Sequence, residues 1–211
     1  MMVKLFHKIG LMLTVALLPL MAAQVSAATV QYEEGTHYKV RSETKSAQPE
    51  IREFFSFWCG HCFGLQPTFA KIEATYKDKA TFVKNPVGLL GGMMGPESQR
   101  CFAAASLMGM EDEFTAALFD KMHVRNEIPH SHADMVAFFG EELGIPEDRL
   151  ERDYNAFPVA GMVASWDQAV DKYEIDAVPE LLVNGKYLAV MESVNGEDEL
   201  IDLIGYLLTL P

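Results

Sequence analysis

The chain reads as an α/β protein in which one sheet is interrupted by an all-helical insertion. Three observations predict this. The mature part opens with a strand–turn–helix–strand segment, continues through a long stretch of helical periodicity, and closes with a hairpin and a helix. A lone C-terminal hairpin is marginal by itself, so it is expected to complete a sheet begun by the N-terminal strands. A length of 211 residues suits one ordinary domain carrying such an insertion.

Residues 1–27 read as an export signal. Lys4 and Lys8 form a positive start, Ile9 to Ala23 an apolar run, and Val25-Ser26-Ala27 a small-residue cleavage site. The run is broken by Pro19 and is short for a bilayer span of ~20 residues. Cleavage is expected near Ala27, which delivers the protein to the periplasm or outside, where disulfides persist. Net charge is −13, and residues 28–211 hold 15 basic and 30 acidic residues. So acidic a surface argues against nucleic acid and anionic membrane faces as partners.

The elements follow in order. A short strand is predicted at His37–Arg41. Ile51 to Trp58, aromatic and nearly continuously apolar, reads as a buried central strand. Cys59-Gly60-His61-Cys62 stands directly after it, then a helix over Phe63–Lys77 and a strand over Thr81–Val87. Gly88–Gly95 is a glycine-rich connector; no Lys-Ser/Thr follows, as a phosphate loop would need. Helices are predicted at Pro96–Met108, Glu111–His123, His132–Leu143, Glu147–Asn155 and Val159–Tyr173, separated by Gly and Pro. Leu181–Val183 and Lys186–Met191 flank Asn184-Gly185, a favoured hairpin turn. Asn195 is expected to cap a last helix, Glu197–Leu208.

The cysteine pair carries the chemistry. A zinc site needs two more ligands, and only Cys101, standing alone, and His130 with His132 are at hand, at no common spacing. A haem attachment needs histidine where Phe63 stands. A structural disulfide closing so small a ring constrains the unfolded chain little. A redox disulfide remains. At a helix N-terminus, unpaired N–H groups and the helix dipole stabilise a thiolate at Cys59, the more accessible cysteine. Stabilising the reduced form makes the disulfide more oxidising. Cys59 is thus the expected attacked sulfur, Cys62 the resolving thiol, and His61 a neighbour adding a hydrogen bond or charge.

Glu53-Phe54-Phe55-Ser56-Phe57-Trp58-Cys59-Gly60-His61-Cys62, Val178-Pro179-Glu180 and Val183-Asn184-Gly185-Lys186-Tyr187 together resemble the DsbA family of thiol:disulfide oxidoreductases. The resemblance covers nearly the whole mature chain. It implies a thioredoxin fold with an inserted helical domain: residues 28–88 and 175–211 thioredoxin-like, 89–174 the insertion. It implies a dithiol oxidase that donates the Cys59–Cys62 disulfide to unfolded exported proteins. It also implies reoxidation by a membrane quinone-linked partner of the DsbB type, location in the periplasm, and no cofactor or metal. The protein is expected to be a monomer. Val178-Pro179 matches the family's cis-proline loop, whose backbone pairs with an extended client. Glu53 and Lys84 match a buried acid and its partner that shuttle a proton for Cys62. The dipeptide is Gly-His where well-known oxidases of the family carry Pro-His, and the dipeptide tunes the potential. Glu180 adds a negative charge near the site, which is expected to disfavour a thiolate or acidic clients. The alternatives are a periplasmic reductase or isomerase, and a chaperone or metal-binding module using the pair as ligands. Only 23 residues, Ala28–Glu50, precede the central strand, too few for a dimerisation domain of the isomerase kind.

Other residues have plainer readings. Cys101 falls on an apolar helix face with Ala104, Ala105 and Met108 and reads as core. His123, His130 and His132 read as solvated helix-end residues. Met93 and Met94 lie in the connector and are candidates for an adaptable apolar surface beside the cysteines.

Overall fold

A computed structural model of the chain describes residues 32–211; the expected export signal lies outside them. In chain order the elements are β1 Tyr38–Val40, β2 Glu50–Phe55, α1 Gly60–Tyr76, β3 Thr81–Pro86, α2 Met94–Leu107, α3 Glu111–Phe119, α4 His132–Leu143, α5 Glu147–Tyr154, α6 Phe157–Lys172, β4 Glu180–Val183, β5 Tyr187–Ala189 and α7 Glu197–Thr209. The sheet runs β1-β5-β4-β2-β3, with β2 and β3 parallel and every other pair antiparallel. The closing hairpin therefore completes the sheet as expected, and α2–α6 intervene in the chain between β3 and β4. Among the described residues no helix is long and apolar enough to cross a membrane.

Three apolar clusters hold the fold. Leu181 and Val183 face α1 and α7, packing with Ile51, Phe69, Ile72, Leu203 and Leu207. Leu182, one residue out of phase, faces the other way with Phe54, Leu188 and Tyr173. Both faces of β4 are thus covered, and its sequence is an unbroken apolar run for that reason. The third cluster is the helical core, built from Phe102, Phe114, Phe119, Phe138 and Phe139, and Phe55, Phe57 and Cys62 are part of it. The aromatic run after β2 therefore plugs the redox turn into the helical block.

Several boundaries differ from the sequence reading, each for a local reason. The central strand stops at Phe55 because Ser56 takes over the following amides: its carbonyl accepts from Cys59 N–H and its Oγ from Trp58 N–H. α2 begins at Met94, with Pro96 in a first turn whose N–H groups need no helical partner. The helix expected through His123 ends at Phe119 and widens into a π-helical turn over Asp120–Val124. Asn195 does not cap α7. Gly196 at φ 101° occupies that position, and the Glu199 carboxylate accepts from the Asn195 amide at 2.7 Å. Ser131 caps α4 by accepting from Asp134 N–H, and Gly144 ends it in the left-handed region. Asn184 and Gly185 both take positive φ, as the expected two-residue hairpin turn requires.

Candidate redox site

Cys59 occupies the N-cap of α1, and its Sγ accepts a hydrogen bond from Cys62 N–H at 3.2 Å. The helix thus directs an otherwise unpartnered donor at the first sulfur, an arrangement that favours negative charge there. The two thiols are not bonded to each other. Cys59 is partly exposed and Cys62 buried. Burial, reinforced by the Cys59 sulfur beside it, pushes the Cys62 thiol well above its ordinary range. One sulfur is open to attack and the other is kept from ionising, an asymmetry suited to stepwise exchange.

Two sides of the pair are walled. The Val178–Pro179 peptide bond is cis, and the Cys59 thiol lies 3.6 Å from the Val178 carbonyl, to which it donates. On the other side Trp58 donates its indole N–H to Met94 O and Ser98 Oγ. Gly91, at φ +83°, lies flat against the indole, and any side chain there would overlap the ring. The glycine-rich connector is therefore a cradle for Trp58. Exposed Leu89, Leu90 and Met93 stand on it, while Met94 is buried. His61 is exposed and borders two clefts. One is lined by Lys39, Val178, Pro179, Glu180 and Glu192, the other is mainly apolar and lined by Leu65, Met191, Val194 and Leu200.

Beneath the pair lies Glu53, 1% exposed. Burial raises its carboxyl to about 7, against a hydrogen bond from Gln66 and the more distant charge of Lys84. Gln66 Nε2 donates both to Glu53 Oε1 at 2.9 Å and to Cys62 O at 3.3 Å, so it ties the acid to the redox turn. Lys84 stands opposite Glu53 in the β2–β3 register, but its ammonium is paired with Asp112 on α3. The expected Glu53–Lys84 couple is thus a Glu53–Gln66 couple with Lys84 acting at a distance. Gln66 was legible in principle, one helical turn beyond Cys62 and on its face.

Two of the three histidines, His123 and His132, differ from the reading of solvated residues. His123, delivered by the π-helical turn, stacks on Phe63 at 5.2 Å and makes a 2.8 Å hydrogen bond with the Phe57 carbonyl, behind the redox turn. His132 bridges two carboxylates, Nδ1 to Glu97 and Nε2 to Glu151, each at 2.6 Å. His130 is exposed. Cys101 is fully buried, as expected of core, and donates to Glu97 at 3.4 Å.

The comparisons with known proteins agree with this geometry. The family model described as a DSBA-like thioredoxin domain matches residues 50–205. The chain is 30% identical over 165 residues to the thiol:disulfide interchange protein DsbA of Escherichia coli K12, covering 77% of this chain and 78% of that protein. The crystal structure of the DsbA disulfide interchange protein of Klebsiella pneumoniae superposes with a TM-score of 0.77 at 26% identity, covering 86% of this chain and all of that one. Proteus mirabilis DsbA, solved with a non-covalently bound peptide PWATCDS, superposes at 0.72 with 26% identity, over 85% of this chain and all of that one.

Proposed function

The chain belongs to the DsbA family of thiol:disulfide oxidoreductases, and on that premise we propose that Cys59 and Cys62 form the disulfide it donates to cysteine-bearing exported proteins. The observation that carries this reading is the asymmetry of the pair: a partly exposed sulfur capped by a helix amide, and a buried one held as a thiol. In the oxidised enzyme a client thiolate attacks Cys59 Sγ, the Cys59–Cys62 bond breaks, and Cys62 leaves with the electron pair. Glu53, its carboxyl raised to about 7 and linked through Gln66 to the Cys62 carbonyl, supplies the proton that the buried leaving thiolate needs. A second client thiolate then attacks the client sulfur of the mixed disulfide. Cys59 leaves as a thiolate that the Cys62 amide receives. The client gains a disulfide, and the enzyme departs with both cysteines reduced.

The remaining assignments belong to the same proposal. The backbone at Val178, beside Cys59 and ahead of Pro179, pairs with the extended client. His61 borders the clefts that receive it. Residues 28–88 with 175–211 act as the thioredoxin-like part, and 89–174 as the helical insertion. The mature chain begins after Ala27 and works in the periplasm as a monomer. A membrane quinone-linked partner of the DsbB type returns the pair to the disulfide. Oxidation of a reduced, unfolded client by the purified disulfide form tests the reading. Stoichiometric transfer is expected, to be abolished in Cys59→Ser and retained in excess chelator. Transfer by Cys59→Ser would overturn it.

A further inference from the structure

Glu180 borders the redox site, and the exchange steps leave its chemistry unused. It opens β4 directly after Pro179 and faces the cleft shared by Lys39, His61, Val178 and Glu192. Its Oε2 is shut off from solvent and has no hydrogen-bond donor among the described residues. A buried acceptor left without a donor is costly, and such atoms are rare in folded proteins. The neighbouring cations do not remove the deficit. Arg41, just after β1, has Nη1 2.9 Å from the Glu174 carboxylate, and its Nε is a buried donor that makes no hydrogen bond among the described residues. Lys39 lines the cleft from the same strand but makes no ion pair among the described residues. Asp176, just before β4, and Glu192, just after β5, add negative charge. The cleft thus sets the carboxylates of Glu180 and Glu192 against Lys39, and it is lined by Val178, whose carbonyl lies 3.6 Å from the attacked sulfur.

We propose that Glu180 is a specificity-determining residue of the exchange, its carboxylate receiving the lysine or arginine side chain of a client within two residues of the reacting cysteine. This rests on the reading of Cys59 as the attacked sulfur and Val178 as the client-pairing backbone. A client strand laid along Val178–Pro179 passes the mouth of this cleft, and a long cationic side chain can pair there with the carboxylate's other oxygen, Oε1, which is not shut off from solvent. Burial, with Asp176 next in importance, raises the Glu180 carboxyl to about 7. The preference for cations therefore strengthens as pH rises through neutrality and the group ionises.

The test uses three dithiol peptides that differ only beside the first cysteine, carrying Arg, Met or Glu. Each rate of reaction with the disulfide form of the protein is divided by that of the same peptide with glutathione disulfide, which cancels differences in thiol reactivity. At pH 8 the Arg peptide should outpace the Met peptide by about tenfold, the worth of one charge-assisted hydrogen bond, and the Glu peptide should be slowest. The ratio should shrink toward one at pH 6. In Glu180→Gln it should be near one at pH 8, which separates Glu180 from His61, Lys39, Arg41, Asp176 and Glu192. A ratio near one in the unmodified protein at pH 8, or one unchanged in Glu180→Gln, overturns the proposal. The pH series on the unmodified protein needs no variant to fold. Oxidation of none of the three peptides would overturn the oxidase reading itself, and this inference with it.

Discussion

Glu53 is a carboxyl group with no direct ion-pair partner among the described residues, under a redox turn, and its environment makes two predictions. Its ordinary value is 4.5 and its value in the fold about 7, because burial disfavours the charged form. A raised carboxyl is held protonated by the fold, so the unfolded chain ionises first as pH rises. Stability is therefore lost between pH 4.5 and 7, by an amount on the order of 3 kcal/mol. Glu53→Gln should abolish that loss, and chemical denaturation of both proteins at pH 5 and 7.5 would show it. The same substitution should slow turnover about tenfold or more while the fold survives; unchanged oxidation and reoxidation rates would remove Glu53 from the mechanism. At this scale much was legible. Spacing and position after a strand exposed Cys59 and Cys62, and the family resemblance singled out Glu53. The partner of Glu53 was not legible as written. Lys84 is in register with it, but Asp112, remote in sequence, claims the ammonium, and only the packing of α3 reveals that.

Elements hold these residues still, and the segment that the sequence marked only as a connector does much of this. Its glycines are demanded by Trp58: Gly91 needs both a positive φ and the absence of a side chain against the indole. Gly91→Ala should destabilise the protein by about 2 kcal/mol or more. It should also alter the emission of Trp58, whose indole N–H would leave Met94 O and Ser98 Oγ. Unaltered melting and emission would show that the connector merely links. Periodicity located the helices well, since each has an apolar face to bury. It could not foresee the π-helical turn over Asp120–Val124, because one extra residue per turn leaves no signature in the pattern of apolar positions. That turn sets His123 behind the redox site, so the one histidine that touches its scaffold was read as solvated. Asn195 was misplaced for a related reason: at the start of α7 the Glu199 side chain reaches back, and glycine supplies the entry.

Across the whole molecule, the helical block is tied together by a polar knot as well as its aromatic core. His132 on α4 joins Glu97 on α2 to Glu151 on α5, and Tyr154 donates to the second oxygen of Glu97. Hydrogen bonds donated to Glu151 and Glu97 raise His132 above 6.5. Burial alone would raise Glu97 above 4.5, but hydrogen bonds from Tyr154 and His132 outweigh it and hold the group low. The histidine's contribution is complete below 6.5 and is lost as pH rises through its elevated value; that of Glu97 is lost as pH falls below 4.5. The stability difference between the protein and His132→Gln should therefore be greatest near pH 5–6 and smaller at pH 8. A difference that grows with pH would contradict the charged bridge. This knot was not legible, because its members come from three helices whose approach depends on the core. The architecture was, because the order of strand and helix patterns leaves few ways to complete one sheet. The central claim concerns the balance between the two states of Cys59–Cys62. Its most direct test is the reduction potential of the pair in glutathione buffers, followed by Trp58 emission and checked by alkylation of the thiols. A helix amide on Cys59 Sγ favours the reduced form, so the potential should be more oxidising than the glutathione couple. A more reducing, thioredoxin-like value would make the protein a reductase on this scaffold and would remove the reoxidising partner from the account.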